Sequence, residues 1–297
     1  MKKYIIDTDI GDDIDDALAL DLALRNNLNL LAVTTVFRNT IDRAKMAKRL
    51  ITLYSKKDIP VYFGYGSTLD GKSEKFSLCQ YTNEIEDEKY APSNSNPEEA
   101  VDFILDCARK YGKDFVLLAI GPLTNVARAI QKDPKAMENS GCIILMGGDY
   151  VNDYAEWNIL CDVTAASVVF SSNVDIIAFG HENTSKTRVS PEEQDYIFSL
   201  TGSEYREYIA QIARLWHLSK VEGYRVILHD LLVIRYVLQP DYCKICEGKV
   251  FVETQAENRA KTIVDNSLSK GKLIRYAVDI NEREFIEYYL SALRSAE

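Results

Sequence analysis

Six aspartates fall within ten residues near the start of the chain, in the run Asp7-Thr8-Asp9-Ile10-Gly11-Asp12-Asp13-Ile14-Asp15-Asp16. Aspartate suits a helix N-terminus, where it caps orphan amides and meets the positive end of the dipole for about 0.3–1 kcal/mol each. That accounts for one or two of them. Neighbouring carboxylates about 4 Å apart repel by roughly 4 kcal/mol at an effective dielectric near 20, so a cation belongs among them. The donors are all oxygen, with no His or Cys close in sequence. That chemistry selects a hard ion, Ca²⁺ or Mg²⁺, and a flexible loop rich in carboxylates and carbonyls favours Ca²⁺. An EF-hand is excluded, because the loop has neither Gly at its sixth position nor Glu at its twelfth.

Such a loop needs a frame, and the surrounding sequence supplies one. Short apolar runs at Tyr4 to Asp7, Leu30 to Phe37, Phe115 to Ile120, Ile143 to Met146 and Val174 to Phe179 read as buried strands. Between them, Asp16 to Arg25, Ile41 to Tyr54, Pro97 to Tyr111, Leu123 to Gln131 and Thr164 to Ser171 carry helical spacing. Strand and helix in alternation predict an α/β fold, an open, mainly parallel sheet flanked by helices, in one domain over 1–297. The aspartates then sit at the carboxyl end of a strand, where open α/β sheets bind ligands.

Two segments break the alternation. Ser67 to Asn96 is polar and unpatterned, and is expected to be a functional flap or a mobile surface excursion. From Ser190 onward helices are expected: Ser190-Pro191-Glu192-Glu193 has capping-box spacing. Tyr205, Tyr208, Ile209, Ile212, Leu215 and Trp216 then recur at helical spacing and predict a helical arm in the C-terminal third, running towards Gly223 and His229. On that arm Trp216, His217 and Tyr224 can stack on or protonate an aromatic ligand, or simply pack. Phe285, Tyr289 and Leu293 mark a last helix.

Composition narrows the partners. With 45 acidic against 35 basic side chains the net charge is −10, which argues against nucleic acid. No run approaches the roughly 18 apolar residues of a membrane span, and the first residues lack a signal-peptide core, so a cytoplasmic protein is expected. Cys79, Cys107, Cys142 and Cys161 stand singly and read as small buried hydrophobes. Cys243 and Cys246 have CxxC spacing without a second pair, beside a Pro-Asp-Tyr turn, a weak zinc or redox signal.

Taken together, several motifs resemble one family. The aspartate run is similar to the DxDPGxDD signature of the inosine-uridine-preferring nucleoside hydrolases, in a longer-loop form, with Asp9 matching the second aspartate and Asp15-Asp16 the closing pair. In family order follow Thr34-Thr35-Val36-Phe37-Arg38-Asn39 (TTVxGN), Ile120-Gly121-Pro122-Leu123-Thr124-Asn125 (xGPLTN), Met146-Gly147-Gly148, Ala155-Glu156-Trp157-Asn158 (AEFN) and His229-Asp230. Each is weak alone; five in order beside the aspartates are specific.

The resemblance implies the nucleoside hydrolase fold and a Ca²⁺-dependent hydrolysis of a ribonucleoside to ribose and base. It implies metal ligands at Asp9, Asp16, Asp230 and the backbone carbonyl of Ile120, with Asp9 also the general base for water. It places Asp15 against the ribose, Asn39, Glu156 and Asn158 on the sugar hydroxyls, and Met146 along the sugar pocket. Asn152, in a loop shorter than the family's, aligns as a further substrate contact. His229 would be the acid for the departing base, a role its ordinary pKa suits. Homodimers or homotetramers are common in the family.

The chain departs from the pattern on the base side. Where relatives carry a PL…HGxxG stretch, it has Gly64-Tyr65-Gly66-Ser67-Thr68-Leu69 and no histidine; Arg38 replaces Gly and Trp157 replaces Phe. An altered base pocket follows, compatible with a purine, a pyrimidine or a modified nucleoside such as queuosine in salvage. Two other readings compete: a catalytically silent nucleoside-binding relative, and an Mg²⁺-dependent phosphatase of the DxD type built on Asp7-Thr8-Asp9. Gly11 stands where that phosphatase motif wants Thr or Val, and the full set of metal-type residues argues for catalysis over mere binding.

Overall fold

The structure is a computed structural model that describes residues 1–54, 58–74 and 77–295. Its strands are β1 (Lys3–Thr8), β2 (Leu30–Thr35), β3 (Val61–Phe63), β4 (Phe115–Ala119), β5 (Cys142–Met146), β6 (Ile176–Phe179), β7 (Cys243–Val252), β8 (Thr262–Val264) and β9 (Lys272–Ile280). They form one sheet in the order β3-β2-β1-β4-β5-β6-β9-β7-β8. Pairings from β3 through β6 to β9 are parallel; β7 is antiparallel to both β9 and β8.

The helices are α1 (Asp15–Arg25), α2 (Thr40–Tyr54), α3 (Glu98–Tyr111), α4 (Thr124–Lys132), α5 (Pro134–Glu138), α6 (Trp157–Cys161), α7 (Val163–Ser171), α8 (His181–Thr184), α9 (Pro191–Phe198), α10 (Glu204–Leu218), α11 (Leu231–Leu238) and α12 (Glu282–Arg294). They cover both faces of the sheet. Adjacent residues of β1 show why: Ile5 packs into the core on one side and Ile6 into the core on the other, both fully buried. Strands buried on both faces need apolar residues at every position, hence the unbroken runs in the sequence. Among the described residues no helix is long and apolar enough to cross a membrane.

Strand order reverses at β1, whose neighbours are β2 and β4. At such a switch point the loops leave the sheet in opposite directions and open a crevice beyond the strand carboxyl ends. The aspartate loop follows β1 and the Gly121-Pro122 turn follows β4, so both border that crevice. Asp7 ties them together: its carboxylate accepts from Thr34 Oγ1 at 2.6 Å and Asn125 Nδ2 at 2.8 Å.

Three expectations need correction. The chain after Ser190 is not helical alone, because β7, β8 and β9 extend the sheet past β6. These strands are only partly buried, so polar residues interrupt their apolar pattern and hide it. Cys243 and Cys246 lie on β7, where a spacing of three turns side chains to opposite faces; both are free thiols. The described part of Ser67 to Asn96 is docked: Leu78 and Ile85 are buried with Met46 of α2, Tyr90 is buried, and Arg49 lies over the Tyr90 ring. Residues 75 and 76 of this segment lie outside the described residues.

The C-terminal helices are anchored to α1 through one buried carboxylate. Asp21 accepts from Arg25 of its own helix at 2.8 Å, Tyr205 of α10 at 2.6 Å and Tyr289 of α12 at 3.1 Å. This fixes α1, and with it the position of Asp15 and Asp16 at its first turn.

Candidate active site

The crevice holds a cavity of about 570 Å³. Its lining is acidic: Asp9, Asp12, Asp13, Asp15, Asp16 and Asp230 contribute to it, with Ile120. Carboxylate oxygens of Asp15, Asp16 and Asp230 lie within 4.8 Å of one another, all three residues buried. Asp230 comes from the N-terminal side of α11, and its backbone N–H donates to Asp15 Oδ2 at 3.2 Å. Asp9 stands outside this tightest group but belongs to the same electrostatic cluster, being the strongest charged influence on Asp16. Its carboxylate lies against Gly121, where a Cβ would come within 2.7 Å of Asp9 Oδ1. Glycine in the GPLTN turn is therefore what lets β1 and β4 approach each other here.

The carboxyls of Asp9, Asp15, Asp16 and Asp230 are held above their ordinary range. Burial, offset in part by Arg43 and aggravated by Asp12, pushes Asp9 up to about 7. For Asp15, Asp16 and Asp230 burial is again the first cause, followed by the neighbouring aspartates. The buried cation Arg43 offsets part of this for Asp9 and Asp16. Arg43 of α2 donates to the backbone oxygens of Phe37 at 2.8 Å, Ile10 at 3.0 Å and Asp9, and to the Asp12 carboxylate at 2.8 Å. It moulds the loop without neutralising the cluster. A buried guanidinium with these acceptors leaves several unpaired when removed, so Arg43→Met is expected to cost about 3–5 kcal/mol. Urea denaturation of the variant checks this.

A divalent cation fits the site, on the chemistry of the donor set: buried carboxylates packed closely, raised by mutual repulsion, with carbonyl oxygen beside them. Asn158 Nδ2 donates to Ile120 O at 3.3 Å and to Met146 O at 3.2 Å, which fixes that carbonyl and the end of β5. Glu156 is the N-cap of α6, accepting from the backbone N–H groups of Asn158 at 2.9 Å, Gly148 at 3.0 Å and Ile159 at 3.1 Å. Burial nevertheless pushes its carboxyl up to about 7. Met146, Glu156 and Asn158 all line the cavity, as the motif reading expects.

The lining is also aromatic. Tyr154, Trp157, His181, Tyr224 and His229 contribute to it. His229 Nδ1 lies 2.7 Å from Thr184 Oγ1. Burial first, then His181 and Arg188, push His229 down to about 3, so it does not keep the ordinary titration range expected from sequence and is a neutral imidazole at pH 7.

Four expected contacts fall outside the lining. Asn39 is half-buried on the turn before α2, where Phe37 (φ 68°) and Arg38 (φ 60°) reverse the chain and bring Arg38 to the cavity instead. Asn152 is exposed, and its amide serves the turn by donating to Asp149 Oδ2 at 3.1 Å. Trp216 is fully buried in the core with the rest of the α10 stripe, its ring tilted at 58° against Tyr224 with centroids 6.0 Å apart. His217 packs against Phe198 at 5.1 Å. The arm reaches the cavity only through the turn after α10, with Ser219, Lys220 and Tyr224.

Sequence reasoning missed Arg38, Cys79, Tyr154, Trp157, His181, Ser219 and Lys220 as lining residues. Cys79 is no inert core thiol: its Sγ donates to Asp12 O at 3.1 Å, and Gln80 Nε2 donates to Asp13 O at 2.6 Å, so the docked segment forms a wall of the aspartate loop. His181 had a readable signal, since it follows an apolar strand run at the carboxyl end of the sheet.

A doubly wound sheet with a cation-ready carboxylate cluster at its switch point, facing an aromatic wall, defines an α/β enzyme acting on a small ring-bearing ligand. The family described as inosine-uridine preferring nucleoside hydrolase matches residues 4–287, and the chain belongs to that family. It is a nucleoside hydrolase, cleaving N-glycosyl bonds of ribonucleosides. The chain is 32% identical over 284 residues to "Probable uridine nucleosidase 2" of Arabidopsis thaliana, covering 91% of this chain and 87% of the relative. It is 28% identical over 268 residues to "Pyrimidine-specific ribonucleoside hydrolase RihB" of Escherichia coli O9:H4 (strain HS), covering 86% of this chain and 84% of the relative. Among solved structures, "Purine-Preferring Ribonucleoside Hydrolase from Gardnerella vaginalis" superposes with TM-score 0.84 at 25% identity over 98% of each chain.

Proposed function

We propose that this enzyme hydrolyses the C1′–N bond of a ribonucleoside in nucleoside salvage, with Ca²⁺ as its ion. Asp9, Asp16, Asp230 and the Ile120 carbonyl would hold the ion, with Asp15 beside the ribose. When bound, Ca²⁺ supplies positive charge that acidifies the attacking water and grips vicinal hydroxyls. Asp9 takes the proton from that water; its buried carboxylate is matched to work near neutral pH. Glu156 and Asn158 orient the sugar, and the buried negative groups around its ring favour the oxocarbenium character that develops as the bond breaks. The base departs among the aromatic side chains of the lining, where Tyr154 and Tyr224 present ring faces and His229 presents a neutral imidazole.

The observation that carries this reading is one cavity of about 570 Å³ whose lining combines a buried carboxylate cluster with tyrosine, tryptophan and histidine rings, room and chemistry for a sugar and a base. Base preference is left to the aromatic wall; relatives bear names with uridine, pyrimidine and purine specificities. The test is ribose release by the purified, Ca²⁺-loaded protein from a panel of common and modified ribonucleosides, with p-nitrophenyl riboside as the base-independent control. Turnover of the control together with one class of nucleoside is expected. Bound Ca²⁺ without release from any member overturns the reading.

A further inference from the structure

One histidine in the cavity has no part in the reaction as outlined. His181 follows β6 directly, and its backbone N–H donates to Gly148 O at 2.8 Å, pinning the ends of β5 and β6 together. The ring is held on several sides. Nδ1 faces Asp149 Oδ2 at 3.7 Å. Tyr154 stacks on it with centroids 4.4 Å apart and planes at 27°, and His229 stacks with it at 5.9 Å and 20°. The residue is one of those lining the cavity.

Asp149 is itself only 1% exposed. It is anchored by the backbone N–H groups of Val151 at 3.1 Å and Asn152 at 2.7 Å, besides the Asn152 amide. A tight turn thus presents a fixed carboxylate to one nitrogen of a stacked imidazole. At 3.7 Å this is an ionic contact of the protonated ring rather than a hydrogen bond, and together with the two stacked rings it holds the imidazole in the cavity lining as a proton carrier. Of the two cavity histidines, His181 is the one with a carboxylate partner among the described residues.

We propose that His181 is a catalytic residue for the departing base, donating its Nε2 proton to it, and that Asp149 is its positioning residue. As the C1′–N bond breaks, its electron pair passes to the base, which takes the His181 proton. The water oxygen forms the new bond to C1′ and its proton goes to Asp9. Asp9 then returns a proton to solvent and His181 recovers one, so one water is consumed and ribose and neutral base are released. The proposal rests on the ribonucleoside hydrolase reading above and names the residue that answers the base.

His181→Phe keeps a ring to stack on Tyr154 and removes the donor. On the nucleoside that the wild type cleaves fastest, kcat is expected to fall about 10²- to 10⁴-fold, with less than about a 5-fold fall on p-nitrophenyl riboside, whose leaving group departs unprotonated. His181→Gln, a smaller change, should show the same selectivity, and Asp149→Asn a smaller loss on the same substrate only. Retained turnover of p-nitrophenyl riboside certifies that each variant is folded. Equal losses on both substrates, or no loss on either, overturn the proposal. A wild type that releases ribose from neither p-nitrophenyl riboside nor any nucleoside overturns the hydrolase reading, and the proposal with it.

Discussion

Asp9→Asn lowers kcat/KM on every ribonucleoside by at least about 10⁴-fold, an effect as large on p-nitrophenyl riboside as on a natural substrate. The argument starts from its position. Asp9 leaves β1 at the switch point, is buried, and sits close enough to Gly121 that no other residue fits there. It is asked to do two things, to contribute a charged ligand and to accept a proton from water. The amide keeps the shape and can do neither. Because every substrate, whatever its leaving group, needs the same ion-bound ribose and the same activated water, the loss is blind to the base, unlike that expected for His181. Ribose release combined with Ca²⁺ titration calorimetry separates the two functions. Activity within tenfold of wild type places the general base elsewhere.

The second large effect concerns the protein without its ion. Asp9 rises to about 7 on burial, and Asp15, Asp16 and Asp230 rise for the same cause and through one another. A carboxyl whose folded pKa lies above its unfolded value near 4 binds its proton more tightly in the fold. Its contribution to stability is therefore complete below pH 4 and is lost as pH climbs through about 7. The chelated protein should accordingly melt at least about 5–10 °C lower at pH 8 than at pH 5.5, with Ca²⁺ restoring most of the difference at pH 8. Asp230→Asn deletes one of the repelling charges. Under chelation at pH 8 it is expected to melt above the wild type, while losing Ca²⁺ affinity and turnover. Calorimetric melts at the two pH values with and without chelator decide this; a metal-free protein indifferent to pH refutes the picture of a strained carboxylate cluster.

The acidic half of the site was legible because its chemistry is written locally. Six aspartates between an apolar strand and an apolar helix have few explanations, and the turns that meet them carry their own short motifs. The parallel core was legible for a similar reason, since strands buried on both faces leave unbroken apolar runs. The aromatic half was not, because it is assembled from side chains whose neighbours in sequence say nothing about direction. Trp216 and His217 stand at the end of a helix whose stripe faces the core, so the aromatic residues most conspicuous in the sequence point away from the cavity. Asn39 is displaced by two consecutive residues in left-handed conformation, which no spacing rule reveals. Tyr154 and His181 are recruited through the Asp149 turn, a purely tertiary device. The strands past β6 escaped notice because their half-exposed surfaces mix polar with apolar residues.

The backbone bond from Asp230 to Asp15 joins positions 215 apart. On the ribosome, the aspartates of the loop are made long before their partner Asp230. Until Asp230 arrives, the early carboxylates are a solvated acidic tail with no reason to come together. Closing a loop of that length costs about 5 kcal/mol in chain entropy, and an ion shared between its two ends repays that cost only in a finished molecule. An ion held as proposed would thus report completeness: a chain truncated before α11 keeps β1 to β6 and nearly all of the carboxylates, yet lacks Asp230 to close the ring around the ion.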